Sequence, residues 1–419
     1  MKIGIIGGGA SGMIAAIAAA RTGASVTVLE GGDRIGRKIL ATGNGKCNFT
    51  NKHMDSTCFR SNTTKDVSGF LRKFGVEETL AFFDSLEMLY KEKNGYYYPA
   101  SEQASTVLDV LRFAIEEFGE QIHVFTGKKA NSLTYLQNHS VKVQCGTENF
   151  VFDRIILACG SKAAPKTGSD GSGYQLLRSL KCGCHIETPV PALVQLRCKE
   201  PYLKGVSGVR TEGKVTLLID GKEAVCESGE IQLTDYGVSG IPVFQVSRFA
   251  SYACFQGSKV QILLDLMPHM DLEKFKGFMS KRKQSLKGRT MEQLCAGLIN
   301  RKVCLLFCKL ADISPEKQVE KVTEKQYNMF VHLFKEWKLT IDKPNGFDMA
   351  QVTAGGLSMQ EIDDHFSLKK CPSIYVVGEL LDVDGICGGY NLQWAWTSGY
   401  LAGSYAAKSL KSGECSQRQ

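Results

Sequence analysis

Apolar and polar positions along the chain predict a run of strands and helices whose spacing changes from segment to segment. Lys2-Ile3-Gly4-Ile5-Ile6 is a short apolar run, the mark of a buried strand. Met13 to Arg21 is rich in Ala and Ile at helical density, Gly23 stops it, and Ser25 to Leu29 is strand again. Residues 66–93 and 101–119 carry apolar positions three and four apart and read as helices, the second with Ser101 as a cap. Between them Gly95-Tyr96-Tyr97-Tyr98-Pro99 reads as extended. Alternation at 121–126, 131–136, 140–145 and 149–152 predicts a small antiparallel meander turning at Gly127 and Gly146. Asp153 to Gly160 is a buried strand ending in small residues. From about 190 to 266 the pattern is of short alternating strands (192–198, 214–219, 223–227, 230–234, 260–265), with a short helix starting in Gly237–Pro242. From Pro268 to about Lys338 the spacing is helical, and Ser314-Pro315 reads as an N-cap followed by a first helical position. Near 349 the α/β texture returns, with Pro372–Glu379 a strand and a loop leading into a helix by Trp396. We therefore expect three parts. Residues 1–189 and 349–419 form one discontinuous nucleotide-binding domain. Residues 190–267, returning at about 339–348, form a β-rich substrate or cap domain, and 268–338 a helical insert.

The opening unit carries chemistry as well as pattern. Gly7, Gly9 and Gly12 form G-x-G-x-x-G between the first strand and its helix, and Glu30 closes the second strand. Gly7 allows the tight turn, Gly9 lets a pyrophosphate approach the backbone, and Gly12 lets helix and strand pack closely. The helix N-terminus offers unpaired N–H groups to phosphate. A carboxylate at Glu30 is placed for a ribose diol and argues against a 2′-phosphate. The motif predicts dinucleotide binding without separating FAD from NAD. Arg37 to Asn51 has no apolar periodicity and is rich in small and amide residues, so it reads either as a cofactor-lining loop or as polar surface. Gly388-Gly389 ahead of the last predicted helix permits close backbone approach to a ligand, and that helix would aim its positive end at it.

Composition adds bounds. The 419 residues include 15 cysteines, scattered, odd in number and without a C-x-x-C pair, which fits reduced thiols in the cytoplasm. No apolar run reaches about 18 residues, so no membrane span is expected, and the apolar start is a strand and not a signal peptide. The 7 histidines are dispersed with no H-x-x-x-H, and no metal site is expected. Net charge is +8, and residues 268–338 hold 12 Lys and 3 Arg against 8 acidic residues. We read that surplus as a solvated helix face ahead of a nucleic-acid surface. No catalytic acid can be assigned; Tyr174, Tyr390 and Cys387 are candidates only by their place on cofactor-side loops.

Several segments in order resemble one family, the BaiN-like (YhiN-type) flavoproteins, also labelled NAD(P)/FAD-dependent oxidoreductases or aminoacetone oxidase family FAD-binding enzymes. They are Arg37–Asn51 (RKILATGNGKCNFTN), Gly160–Tyr174 (GSKAAPKTGSDGSGY), Gly229–Ser247 (GEIQLTDYGVSGIPVFQVS), Val352–Glu361 (VTAGGLSMQE) and Gly378–Gly399 (GELLDVDGICGGYNLQWAWTSG). The resemblance implies a glutathione-reductase-like, Rossmann-type α/β FAD-binding domain with inserted β-rich and helical domains. It implies pyrophosphate contacts from Gly7, Gly9, Ala10, Ser11 and Gly12, and a ribose contact from Glu30. Lys38, Thr42, Gly43, Asn44, Gly45 and Asn48 would line the cofactor, with Ala130 near adenine and Ala158 and Gly160 on the second cofactor-facing strand. Gly378, Glu379 and Asp382 would meet the ribityl or pyrophosphate region, and Gly389, Asn391 and Leu392 the isoalloxazine. The implied activity is hydride transfer at flavin N5, with NAD(P)H as transient donor and an activated C=C or carbonyl of a small hydrophobic molecule as acceptor. An oxidase passing electrons to O2, a flavin-dependent RNA-modifying protein, and a thiol enzyme using Cys47, Cys159 or Cys387 stay open as alternatives. Oligomeric state is left undefined.

Overall fold

The computed structural model describes residues 1–63 and 66–416, with side chains of the last helix as far as Lys408. The chain divides into two compact units, Met1–Pro189 with Gln351–Gln419, and Val190–Ala350.

The first unit is built on a six-stranded sheet. Its strands are β1 (Lys2–Ile6), β2 (Ser25–Leu29), β3 (Ile122–Phe125), β4 (Arg154–Leu157), β5 (Ser367–Leu368) and β6 (Cys371–Val376). Their order is β5-β6-β4-β1-β2-β3, parallel throughout except for β5 against β6. Such a sheet is covered on both faces, which is why β1 and β4 read as unbroken apolar runs. Helix α1 (Ala10–Arg21) follows β1 and is buried from Ser11 to Ala20. The long helix α2 (Tyr390–Ser416) lies against it backbone to backbone. A Cβ on Gly399 would fall 2.4 Å from the Ser11 carbonyl oxygen, and one on Gly403 2.4 Å from that of Ala15.

Three expectations change in this unit. Residues 122–125 do not join the meander. They extend the parallel sheet, Ile122 beside Val26 and Val124 beside Val28, and the antiparallel sheet holds only Ser132–Tyr135, Val141–Cys145 and Glu148–Phe152. The span 66–93 is not one helix. It holds two short ones, Ser68–Leu71 and Val76–Asp84, and then Tyr90–Lys93 pairs with Tyr96–Pro99 as a hairpin. The cause is Asn94-Gly95, both at positive φ (55° and 86°), the dipeptide that a tight hairpin turn prefers. Finally, Ser101 does not cap the helix Ala104–Glu117; Gln103 holds that position, and Ser101 Oγ accepts from the Gln103 amide at 3.2 Å.

The second unit is a closed barrel of antiparallel strands. In order they are Leu196–Cys198, Gly237–Ser239, Lys222–Leu233, Arg210–Ile219, Val260–Asp265 and Trp337–Pro344, the last pairing with the first. The segments expected at 223–227 and 230–234 are one strand, and the helix at Ile241–Phe255 is longer than expected. The helices Leu272–Ser285, Met291–Cys295, Arg301–Leu310 and Glu324–Lys335 lie between two barrel strands in the chain. They share one hydrophobic core with the barrel, Phe275, Phe307 and Phe334 joining Leu217, Ile262 and Leu264. Barrel and helices are therefore one unit, where two separate domains were expected. Lys335 ties them: its Nζ, on a side chain 7% exposed, meets Asp265 Oδ2 at 2.6 Å and donates to the Met267 carbonyl at 2.7 Å. Ser314-Pro315 starts no helix. The Ser314 hydroxyl donates to Glu316, two residues on, at 2.7 Å, and the next α-helix starts at a Thr323/Gln326 capping box.

Candidate functional site

The site begins at the turn between β1 and α1. Gly7 sits at φ +102°, its N–H donating to the Leu29 carbonyl at 2.9 Å, and a Cβ there would lie 2.6 Å from the Ala158 oxygen. A Cβ on Gly12 would lie 2.0 Å from the Gly7 oxygen and 3.3 Å from the Ala158 side chain. Both glycines thus serve the contact of α1 with β1 and β4. Gly9 differs: a Cβ there would meet nothing within 4 Å. It is the N-cap of α1 and caps it with no side chain, so the first-turn amides around Ala10 and Ser11 point into open space with the positive end of the helix behind them. Ser11 itself is buried. Glu30 is held by two backbone amides, Gly8 N–H at 2.8 Å and Gly32 N–H at 2.6 Å, one to each oxygen. Each oxygen keeps a second lone pair for a ligand hydroxyl.

A second set of residues comes from the far end of the chain. After β6, Gly378 turns at φ +65° hard against Ser11, where a Cβ would stand 2.8 Å from the serine oxygen. Its N–H donates to Ser398 Oγ at 2.9 Å and its carbonyl accepts from Trp394 Nε1 at 3.2 Å. Glu379 bridges two segments: one oxygen accepts from the Thr353 amide at 2.8 Å, and the other pairs with Lys38 Nζ at 2.7 Å. Lys38 opens the segment 38–51, in which Ile39–Gly45 coil as a kinked 3-10 helix and Thr50–Asn51 form a short strand. There Gly43, Asn44 and Gly45 run at positive φ (55°, 53° and 84°), and Thr42 Oγ1 donates back to the Ile39 carbonyl at 2.6 Å. The Asn48 amide, oriented to satisfy its neighbours, donates to the Thr50 carbonyl at 2.9 Å and accepts from the Gly389 amide at 3.3 Å. Asn51 Nδ2 donates to the Gly388 carbonyl at 2.9 Å. The loop and the double-glycine turn are thereby stitched together, and a Cβ on Gly389 would strike Asn48 and Thr50, each at 2.8 Å.

Other predicted residues are placed differently. Ala130 and Ala158 are buried, and Gly160 is pressed to within 2.4 Å (as a Cβ) of Ser169 Oγ. Leu392 is half-buried on the first turn of α2. Asp382 is fully buried, and its carboxylate accepts from Ser61 Oγ at 2.9 Å, the Asn62 amide at 2.7 Å and the Thr63 amide at 3.2 Å. It fastens the segment 61–63. The Asn391 side chain is likewise spent on the Gly385 backbone, accepting from its N–H at 2.8 Å and donating to its carbonyl at 2.9 Å. Tyr390 is buried edge-on against Phe59, and burial together with Cys58 raises its hydroxyl pKa. Tyr174 is also buried, so both tyrosines are core residues and not exposed proton donors. Cys387 is half-buried. Burial pushes the thiols of Cys47 and Cys159 up to about 12, which keeps them protonated and opposes a thiolate mechanism.

Periodicity gave no sign of the polar knot beneath the site. Gln393, fully buried, accepts from Thr50 Oγ1 at 2.6 Å and donates to Thr79 Oγ1 at 2.8 Å, Thr397 Oγ1 at 3.0 Å and the Gly75 carbonyl at 3.1 Å. Trp396 Nε1 donates to the Phe49 carbonyl at 2.9 Å. The available signal was a Gln and a Thr one turn apart on an apolar helix.

Residues 1–405 match the model of the HI0933-like protein Rossmann domain. The chain belongs to this family. It is 40% identical over 410 residues to the 3-dehydro-bile acid delta(4,6)-reductase of Clostridium scindens, covering 97% of this chain and 99% of that one. To the ribosomal RNA dihydrouridine synthase of Haemophilus influenzae it is 28% identical over 404 residues, covering 94% and 96%. Among solved structures, the 3-ketosteroid-delta4-(5alpha)-dehydrogenase of Rhodococcus jostii aligns over 97% of this chain and 96% of that one, at 15% identity and TM-score 0.47. The resemblance to BaiN-like, YhiN-type proteins is thus one of family, and the HI0933-like chain is an FAD-dependent oxidoreductase. Among the described residues, no helix is long and apolar enough to cross a membrane.

Proposed function

We propose that this protein reduces a carbon–carbon double bond conjugated to a carbonyl, with NAD(P)H as the electron donor. The observation that carries the reading is the cradle at α1. Open space over Gly9, uncapped helix amides and a fixed Glu30 carboxylate fit a dinucleotide, and they occur in a chain 40% identical to a named reductase. Gly7, Gly9, Ala10, Ser11 and Gly12 would hold the pyrophosphate and Glu30 the adenosine ribose. The loop from Lys38 through Thr42, Gly43, Asn44, Gly45 and Asn48 would line the cofactor, with Gly378 and Glu379 across from it. FAD, when bound, supplies a two-electron carrier that exchanges hydride with donor and substrate. The chain's part is to orient and to stabilise charge. The positive end of α2 supplies fixed potential for developing negative charge, and the Lys38–Glu379 pair fixes both side chains.

The names of the two relatives share one chemistry, since a 3-oxo-4,6-diene and a uracil ring both present a C=C in conjugation with a carbonyl. A second reading, reduction of uridine in RNA, is favoured by one observation. In the second unit, exposed Lys281, Lys309 and Lys325 on its helices and Lys338 on its last strand make no ion pair among the described residues. Anaerobic mixing of the holoprotein with NADH and then NADPH, followed at the flavin band near about 450 nm, tests the donor. Addition of a 3-oxo-4-ene steroid or of unmodified ribosomal RNA to the reduced protein then tests the acceptor. Return of the band with the steroid supports the first reading, and return with RNA alone the second. Bleaching by neither nucleotide refutes the donor, and no return with either acceptor refutes the reductase.

A further inference from the structure

A cleft of about 560 Å³ opens within the second unit, lined by Arg197, Tyr236, Lys343, Asn345, Asp348 and Met349 among others. Its construction is specific. Leu196 is buried in the barrel core, so the next residue on that strand, Arg197, falls on the opposite face. Gly237 lets its strand press close, since a Cβ there would lie 2.0 Å from the Leu196 oxygen. This brings Tyr236 under Arg197, with the guanidinium carbon 4.6 Å from the ring centroid. Asn345, 8% exposed, braces both. Its Oδ1 accepts from Arg197 Nη1 at 3.2 Å, while its Nδ2 donates to Tyr236 OH at 3.3 Å and to Gln195 Oε1 at 3.2 Å.

The guanidinium is therefore held on one face by an aromatic ring and at one nitrogen by a buried amide. Among the described residues neither Arg197 nor Lys343 is paired with a carboxylate. Asp348, the one acid in the lining, turns back over Gly346, where a Cβ would lie 2.7 Å from its Oδ1. The remaining fork of an arginine fixed in this way matches a planar oxyanion with two parallel N–H donors, at small entropic cost because the side chain is already ordered. Pro344 and Met349, the latter 50% exposed, put apolar surface beside that charge.

We propose that this cleft binds the oxyanion end of an amphipathic organic substrate, with Arg197 as the specificity-determining residue and Tyr236 and Asn345 as its positioning residues. The ligand chemistry is a carboxylate or phosphate joined to an apolar or flat body. The proposal deepens, and rests on, the reading of the protein as a conjugated-alkene reductase.

The test uses the full-length holoprotein with two probe pairs: a 3-oxo-4-ene steroid carboxylic acid against its methyl ester, and uridine 5′-monophosphate against uridine. Equilibrium dialysis measures binding and NAD(P)H consumption measures turnover, for the wild type, Arg197→Met and, as a control outside the cleft, Arg210→Met. We expect the wild type to favour the charged member of one pair by tenfold or more, chiefly in KM or Kd. Arg197→Met should bring that ratio close to one, and Arg210→Met should leave it in place. The steroid pair responding identifies a carboxylate, and the uridine pair a phosphate. No preference in either pair overturns the proposal, as does an Arg197→Met protein that keeps the ratio. Because dialysis reads binding without turnover, a protein that binds the acid through Arg197 but reduces neither pair refutes the reductase reading and leaves the anion site standing.

Discussion

Gly9 and Gly12 make opposite predictions although they share one motif. At Gly9 the backbone is extended (φ −79°, ψ −168°), a conformation alanine adopts without strain, and an added Cβ has no atom within 4 Å beyond its chain neighbours. Gly9→Ala should change the stability of the FAD-free protein by no more than about 1 kcal/mol, the scale of N-cap exchanges. The methyl group does occupy the space into which the first-turn amides point. Loss of one charge-assisted hydrogen bond costs about 2 kcal/mol and raises Kd for FAD roughly thirtyfold. At Gly12 the added Cβ stands 2.0 Å from the Gly7 carbonyl oxygen. That oxygen is backbone and cannot rotate away, so turn and helix must part by more than about 1 Å, and overpacking of this kind costs roughly 1–3 kcal/mol. Gly12→Ala should therefore lose stability and cofactor together. Urea melts of stripped protein and FAD titrations followed by flavin fluorescence separate the two effects. A Gly9→Ala protein that binds FAD within twofold of wild type would refute the placement of the pyrophosphate. One that unfolds as early as Gly12→Ala would refute the claim that the space above it is open.

The other predictions concern buried groups. Gln393→Leu leaves the hydroxyls of Thr50, Thr79 and Thr397 and the Gly75 carbonyl short of a partner in a buried site. We expect a loss of roughly 3 kcal/mol or more, read by urea melts, and a loss under about 1 kcal/mol would mean water enters the knot. Lys335→Met strips Asp265 of its buried cation, a change that typically costs about 3–5 kcal/mol; a melt of the variant unchanged from wild type would show the pair to be solvated. Cys47 gives a pH dependence. Its folded pKa is raised, from an ordinary 9.0 to about 12, so its contribution is complete below pH 9 and fades as pH climbs toward 12, by about 1.4 kcal/mol per unit at most. Cys47→Ala should accordingly lose less stability than wild type between pH 9 and 11, and parallel losses would refute the thiol's part.

The opening β1–α1–β2 unit was legible because every residue in it obeys one local rule. Apolar runs mark strands buried on both sides, glycines mark the turn, and an acid ends the second strand. The barrel was less legible. Most of its strands announced themselves by alternation, although Gly237–Ser239 read as the start of a helix, and closure depends on pairing Leu196–Cys198 with Trp337–Pro344, about 140 residues on, across all the helices of the second unit. Nothing local encodes that pairing, so the helices looked like a separate insert when they share the barrel's core. The hairpin at Asn94-Gly95 was half readable: Tyr96–Pro99 read as extended, but helical spacing over 66–93 outweighed the turn signal for the strand Tyr90–Lys93.

Within the site the division is different, because polar side chains are ambiguous by nature. Glu379, Asp382 and Asn391 lie on one stretch beside the predicted cofactor. In three dimensions Glu379 reaches to Lys38 and the Thr353 amide and Asp382 to residues 61–63, while Asn391 turns back on the Gly385 backbone. A carboxylate or amide goes where unpaired polar groups are most costly, and Asp382, itself buried, is satisfied by the amides of Asn62 and Thr63. The glycines show the same ambiguity. Gly9, Gly12, Gly399 and Gly403 are one residue type, yet Gly12, Gly399 and Gly403 remove a Cβ that another backbone would strike, and only Gly9 faces emptiness. A pattern of small residues thus states that something approaches closely, and the fold decides whether that something is the protein itself or its ligand. By this criterion Gly9, alone among the three fingerprint glycines, is the position where a substitution reports on the cofactor and not on the fold.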